Sequence, residues 1–566
     1  MNAADVAGAW EALGLQCSLS ALTSPLVHRL RRQPACKLGS TLVSLRFFKY
    51  ISLGGVNSSK PSLLRLLRAA LGRKSTLALR SAEPCSENLI MTLRVFWIVI
   101  LSVIFSVSAA GADPGVLPYV KQRPVGIGPT FGYVPVRKGA NMFWWLESCQ
   151  GCEGQAVDEE PLVIWLQGGP GASGVGYGNF EEIGPYGIGW ERRRHTWADE
   201  ANLLFLDNPV GTGFSYVTGE ANFTRTNAEI AADLVSFLQA WIYGHPEFEV
   251  APVFIASESY GGKMAISFAR AIQEAQKSGD IKVNLKGVML GDSWVAPINF
   301  VEAWGTYLQA FSLLDDSSLS RLSSLADKTQ EAMKSGNNTF ATDLWGQVEA
   351  AAENLTDNVN FYNVLEHNEH IEPASNGAAA RFTAQLISEV ELTPSAAQLL
   401  ARQHKDELTE WMDRDLREWM GDTIPEDVRF GSQAGQVFKN LAGDFMLDAL
   451  DDVDAVLATG LPVTIYQGQL DLICCTLGVD AWLRRLKWQG MQGFERARSR
   501  PVHWDHDEGA TSGFVKRHAN LAMYVILEAG HMVPADQPRR ALHMLRHVMR
   551  DASAGPNTMS QDVKAT

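Results

Sequence analysis

Residues 253–265 read VFIASESYGGKMA. An apolar run ends at Ser259, two glycines follow, and the apolar spacing beyond them turns helical. This is the strand–turn–helix setting of a nucleophile elbow, in which a strained turn pushes a serine oxygen outward. The usual pattern is G-x-S-x-G, and here Ser257 stands where its first glycine would be. Serine adds only two heavy atoms to glycine, so the tight turn can still close. The alternative is a plain turn before a helix starting near Gly262, with Ser257 as its N-cap.

The segments on either side place this turn in a larger pattern. FGYVPV (131–136) and MFWWL (142–146) predict an opening hairpin. PLVIWLQGGPG (161–171), NLLFLDNPVG (202–211) and VNLKGVMLGDSW (283–294) are β-rich runs ending in Gly, Pro, Asn or Ser. Helical spacing separates them, in TNAEIAADLVSFLQAWIYGHPEF (226–248) and from Lys263 to Lys277. Strands alternating with helices predict a largely parallel sheet covered on both faces. Residues 299–443 break the rhythm with helical stretches, among them AAQLLARQHKDELTEWMDRDLREWM (396–420), and no convincing strand. Alternation resumes with a helix in FMLDALDDVDAVLATG (445–460). Strands follow in LPVTIYQGQLD (461–471) and LAMYVILEAGHMVPADQP (521–538), then a closing helix from Pro538 to Arg550.

A catalytic serine needs a base, a carboxylate that orients the base, and backbone donors for the oxyanion. Open α/β sheets build such sites at the carboxyl ends of their strands. Asp471 ends one predicted strand and His531 another, and the order Ser…Asp…His is that of α/β-hydrolases. WLQGGPG (165–171) suits an oxyanion loop; no G-K-[S/T] follows it, which disfavours a phosphate loop. The expected fold class is therefore α/β, an α/β-hydrolase with a mostly parallel central sheet flanked by helices. Its core comprises 113–298 and 444–550, with 299–443 as a helical cap insertion and 551–566 as a polar tail.

WLQGGPGASG, FEEIGP, NLLFLDNPVGTGFSYV, SESYGG, YQGQLD and AGHMVPADQP together resemble the serine carboxypeptidase family, from about Gly126 to Arg550. The resemblance implies Ser259 as nucleophile, His531 as general base and acid, and Asp471 as its orienting group. It implies an oxyanion hole from the backbone amides of Gly169 and Tyr260. It also implies that Gln167, Glu182 and Glu258 hold the substrate's terminal carboxylate, with Gln167 in place of the family's commoner asparagine. Ala172 replaces a cysteine of many family members. The implied activity is acyl-enzyme hydrolysis of C-terminal residues from peptides and proteins. Two glutamates around a third carboxylate repel, so one must be protonated, which predicts an acid optimum. An acyltransferase or esterase on the same triad, or a non-catalytic secreted scaffold, are the alternative readings.

Composition bounds the rest. Hydrophobic residues make up 46% of 566 and charged residues 20%, a well-cored globular chain. Residues 1–90 carry 12 basic and 4 acidic residues, leaving 37 basic against 59 acidic in the remainder. That acidic body argues against nucleic acid as a partner. Met91–Asp113 has the layout of a secretory signal peptide (91–112) with cleavage after Ala110 or Ala112. Its apolar run is short for a membrane span, so no stable span is expected. Residues 1–90 then read as a structure-poor extension of the gene model. Sequons at Asn222, Asn337 and Asn354 agree with glycosylation in the secretory pathway and a secreted, lysosomal or vacuolar location. The four cysteines beyond the extension, Cys149, Cys152, Cys474 and Cys475, allow three pairings among which the sequence does not choose. Cys149–Cys152 suits a small loop-closing disulfide, and Cys474 and Cys475 suit packing or a local disulfide, with pairing to Cys149 or Cys152 left open. HWDHDEG (503–509) and EHNEH (366–370) lack H-E-x-x-H, so neither a metal nor any cofactor is expected. DALDDVDAV (448–456) reads as a solvated helix face.

Overall fold

The computed structural model describes residues 129–152, 159–368, 407–431, 433–504 and 510–554, with a short antiparallel strand pair at 41–43 and 77–78. The signal-peptide reading and most of the basic extension lie outside the described residues, as do residues 505–509 of the HWDHDEG stretch.

The core is one sheet. Its strands are β1 (Thr130–Arg137), β2 (Ala140–Glu147), β3 (Leu162–Leu166), β4 (Asn202–Leu206), β5 (Tyr216–Val217), β6 (Pro252–Glu258) and β7 (Asn284–Gly291). β8 (Val359–Asn360) and β9 (Asn363–His367) form a separate hairpin. The sheet is completed by β10 (Val463–Gly468), β11 (Arg500–Val502), β12 (Gly513–His518) and β13 (Leu521–Ile526). The order is β11-β12-β13-β10-β7-β6-β3-β4-β2-β1, with β5 on β2. From β13 to β4 every neighbouring pair is parallel, and antiparallel strands close both edges. β3 (LVIWL) and β4 (NLLFL) are buried at every position, as strands covered on both faces must be. Separate apolar clusters fill the two sides, one around Trp241, Met264 and Trp304, the other around Trp165, Phe205 and Leu545.

The flanking helices follow from sequence signals. α1 (Asn227–Gly244) opens with a capping box in which the Thr226 hydroxyl accepts from the Glu229 amide and Glu229 reaches back to the Thr226 amide. α2 (Gly261–Ser278) starts directly behind the serine turn. α3 (Pro297–Ala310), α4 (Asp316–Lys334) and α5 (Asn338–Leu355) begin the region expected to be a helical insertion. The expectation of no strand there is corrected, because β8 and β9 pair around Phe361–Tyr362. β8 has only two residues, and β9 (NVLEH) is polar at three of its five positions, so neither stands out as an apolar run. The hairpin matters for the site: Tyr362 O accepts from the His531 amide at 2.7 Å, and the Tyr362 ring packs edge-on against the imidazole.

α6 (Ala434–Phe445) and α7 (Leu450–Ala458) return the chain to the sheet. Asp452 on α7 does not sit on a free solvated face: it pairs with Arg270 and the Ser267 hydroxyl on α2. α8 (Thr476–Leu483) and α9 (Met491–Arg496) follow β10, and α10 (Val533–Asp536) and α11 (Pro538–Ala554) end the described chain. Cys149 and Cys152 form a disulfide, whereas Cys474 and Cys475 are buried free thiols. In the EHNEH stretch, Glu366 accepts from Asn360 and Asn363, and His367 Nδ1 meets the Asp357 carbonyl.

Candidate active site

Five neighbouring parallel strands deliver the polar residues of one site. Gln167 follows β3, Ser259 follows β6, Asp292 follows β7, Asp471 lies just beyond β10, and His531 lies beyond β13. Carboxyl ends are the one place where a parallel sheet can converge side chains from segments far apart in sequence.

Ser259 has a φ of +59°, the left-handed backbone expected of an elbow. Its amide donates to Gly291 O (3.0 Å), and its carbonyl accepts from Gly262 (2.9 Å) and Trp294 (2.9 Å), so the strained turn is pinned on both sides. Ser257 belongs to β6 and is no helix cap. Its hydroxyl donates to Met289 O at 3.0 Å, which is how serine is accommodated where glycine is usual. A Cβ on Gly168 would stand 2.5 Å from Ser259 Cβ, and one on Gly261 would run into the Leu166 carbonyl oxygen. The elbow therefore requires bare backbone on the facing loop and behind the serine. Gly169 and Tyr260 line the same cavity as Ser259, and Tyr260 stands at the N-terminus of α2, where the helix dipole favours negative charge.

His531 and Asp471 are both buried, and His531 Nδ1 donates to Asp471 Oδ2 at 3.0 Å. That fixes Nε2 as the free nitrogen, and it is buried with no hydrogen-bond partner. The serine–histidine bond is thus not closed in this geometry, and catalytic hydrogen bonds of this kind tighten when substrate binds. Asp471 Oδ1 also accepts from the Cys474 amide (3.2 Å), which holds the free thiol next to the carboxylate.

The second cluster is wholly polar and almost wholly buried. Trp165 Nε1 donates to Gln167 Oε1 at 2.6 Å, which turns the amide nitrogen toward the glutamates. Gln167 Nε2 donates to Glu182 Oε1 (3.0 Å) and to Glu258 Oε1 (2.9 Å). Burial pushes both glutamates up, and Glu258 is pushed further by the neighbouring Glu182. Their remaining oxygens are buried with no N–H donor, so the two carboxyls favour sharing a proton over carrying two charges.

Sequence reading missed several residues. Arg193 clamps the C-terminal end of the helical segment Gly174–Ile183 that carries Glu182, donating to the carbonyls of Phe180, Glu181 and Gly184. Asp444 on α6 accepts from the Tyr260 hydroxyl (3.0 Å) and from Lys263 (2.9 Å), tying the insertion's last helix to the elbow. Asp292 obeyed the rule that singled out Asp471 and His531, since it too directly follows a predicted strand. Asn337 and Asn354 are exposed and Asn222 is half-buried.

The family model for serine carboxypeptidases matches residues 118–551. The chain belongs to the serine carboxypeptidase family. It is a hydrolase of the serine carboxypeptidase type with an α/β-hydrolase fold. Human retinoid-inducible serine carboxypeptidase is 43% identical over 425 residues, 74% of this chain and 90% of the human one. Serine carboxypeptidase-like 51 of Arabidopsis thaliana is 37% identical over 469 residues, covering 81% of this chain and 99% of its own. Among solved structures, Kex1Δp, a prohormone-processing carboxypeptidase from Saccharomyces cerevisiae, superposes with a TM-score of 0.61 at 22% identity. That match covers 75% of this carboxypeptidase and 91% of the yeast chain. Among the described residues, no helix is long and apolar enough to cross a membrane.

Proposed function

We propose that this serine carboxypeptidase removes residues one at a time from free peptide C-termini, with Ser259, His531 and Asp471 as its triad. Ser259 Oγ attacks the last peptide carbonyl while His531 Nε2 takes the hydroxyl proton. The amides of Gly169 and Tyr260 receive the oxyanion, and the imidazolium, steadied by Asp471, returns the proton to the leaving amine. Water then repeats the sequence on the acyl-enzyme.

The observation that carries this reading is the Gln167–Glu182–Glu258 cluster beside the nucleophile. A protonated glutamate and an amide N–H₂ are the donors that a substrate carboxylate needs. Because the donor is lost when the pair ionises, peptide hydrolysis is favoured at acid pH, which suits a secreted or lysosomal glycoprotein of the secretory pathway. The other side of Ser259 opens on a cavity walled by Trp294, Trp345, Tyr362, Phe438, Phe445 and Ile473. This cavity contains none of the carboxylate-binding residues, so it receives the acyl-side residue and selects apolar side chains.

Labelling of Ser259 by a fluorophosphonate, abolished in Ser259→Ala, together with release of single C-terminal amino acids from peptides, tests the reading. A folded protein that neither labels nor cleaves would overturn it. Equal rates on a peptide and on its C-terminal amide would remove the carboxypeptidase assignment while leaving the triad intact.

A further inference from the structure

A fourth carboxyl stands beside the triad, and acyl transfer as described leaves it without a task. Asp292 follows β7 with a φ of +39° and is fully buried. Its Oδ1 accepts from the Gly468 amide (2.8 Å) and from Gln467 Nε2 (2.7 Å). The same Gln467 nitrogen donates to Asp471 Oδ2 at 3.1 Å, so one side-chain amide bridges the two acids. Asp292 Oδ2 is buried and receives no N–H donor, and the shared Gln467 amide sets the Asp292 and Asp471 carboxyls side by side.

Two carboxylates in contact and out of water cannot both be ionised. Counting donors shows which one holds the proton. Asp471 receives three N–H groups, from Gln467, Cys474 and His531, the pattern that stabilises an anion. Asp292 receives two, both on Oδ1, which leaves Oδ2 to carry a hydrogen and give it away. We propose that Asp292 is a positioning residue: as a neutral acid it donates its O–H to Asp471 and, with Gln467, fixes the carboxylate that orients His531. Asp471 is thereby held from the β7 side by an acid, from the β10 side by an amide, and from the front by the imidazole.

The surroundings agree. Burial, with Asp471 second, holds Asp292 well above the ordinary carboxylate range. The titratable groups that face it are Asp471, Glu258 at the end of β6, Asp536 on α10, the Tyr466 and Tyr307 phenols, and the Cys474 thiol. The phenols and the thiol are themselves held neutral by burial, and it is the neighbouring carboxyls, Asp471 first and Asp536 after it, that disfavour a charge on Asp292.

The inference rests on Ser259, His531 and Asp471 acting together, and the test separates the two. An ester substrate with no free terminal carboxylate keeps Glu182 and Glu258 out of the measurement. If wild-type protein neither labels with fluorophosphonate nor cleaves the ester, it is the triad reading that fails. With an active wild type, Asp292→Asn keeps a donor to Asp471 and should retain kcat near the wild-type value. Its acid-limb midpoint in kcat/KM should not move, because one neutral group replaces another. A midpoint lowered by about one pH unit or more would mean that Asp292 had been ionised, and would overturn the proposal. Asp292→Leu keeps the bulk but removes the donor, and should lower kcat by about 100-fold with KM unchanged. Wild-type kcat in that variant would equally overturn it. Should the leucine variant fail to fold, the asparagine variant's kcat and acid limb decide alone.

Discussion

Gln167 Nε2 lies 2.9 Å from Glu258 Oε1, which joins the residue after β3 to the residue before the nucleophile. The bond is directional because Trp165 holds the other end of the amide. Glu258→Ala removes one carboxyl of the proton-sharing pair and leaves Gln167 facing a lone glutamate. We expect KM for a peptide with a free C-terminus to rise at least about tenfold, with little change for an ester or amide of the same sequence. Parallel kinetics on the two substrates check this.

The pH dependence of peptide cleavage follows from the same cluster. Burial raises both glutamates, so their shared proton persists above the usual carboxylate range and is lost as pH rises further. kcat/KM for a free-carboxylate peptide should therefore fall toward neutral and alkaline pH. The double variant Glu182→Gln, Glu258→Gln keeps neutral donors and should flatten that limb. A profile in which wild type and double variant fall together would contradict the assignment.

The elbow tolerates no side chain opposite the serine. In Gly168→Ala the new methyl meets Ser259 Cβ and, at 3.1 Å, Glu258 O, and the elbow, strained at Ser259 and pinned to the sheet through Glu258, cannot yield cheaply. Displacement of the nucleophile by a fraction of an ångström should lower kcat about 100-fold while fluorescence and melting report a folded protein.

Lys263 and Asp444 form a buried ion pair at 2.9 Å, with the Lys263 ammonium 5.0 Å from the centre of the Tyr260 ring. Asp444→Asn leaves a buried ammonium without its counter-charge and should cost about 3–5 kcal/mol in urea unfolding. Because Asp444 also receives the Tyr260 hydroxyl, the variant should lose kcat as well as stability.

Stability should decline as pH rises above neutrality. An acid raised by burial binds its proton in the folded state where the unfolded chain has already released it, so unfolding becomes easier with rising pH. Glu182, Glu258 and Asp292 are raised in this way, and Asp207 is pushed up to about 7 by burial. His547, lowered by burial to about 4, acts in the opposite sense, but only between that value and its ordinary 6.5. Above about pH 6.5 the histidine no longer opposes the acids, and Tm should fall by several degrees between pH 6.5 and 8.5. Asp207→Asn should reduce that fall.

Much of the site was legible because α/β sheets place chemistry at strand ends and the sequence marks those ends. Ser259, Asp471 and His531 each terminate an apolar run, and the sheet brings all three strands into one parallel block. The β8–β9 hairpin was not legible, because a two-residue strand carries no periodicity. Asp452 read as one acid on a solvated helix face; its partners Arg270 and Ser267 lie more than 180 residues away.

The sequence by itself determined the strand–helix alternation, the elbow and the identity of the groups that can attack, accept and donate. Those depend on local pattern and on residue chemistry. Only the tertiary structure decided which acids share protons. Glu182 and Glu258 are 76 residues apart, and Asp292 and Asp471 are 179 apart. Whether such a pair is two anions or one anion and one acid depends on distance, burial and the count of N–H donors, and all three are set when the sheet closes.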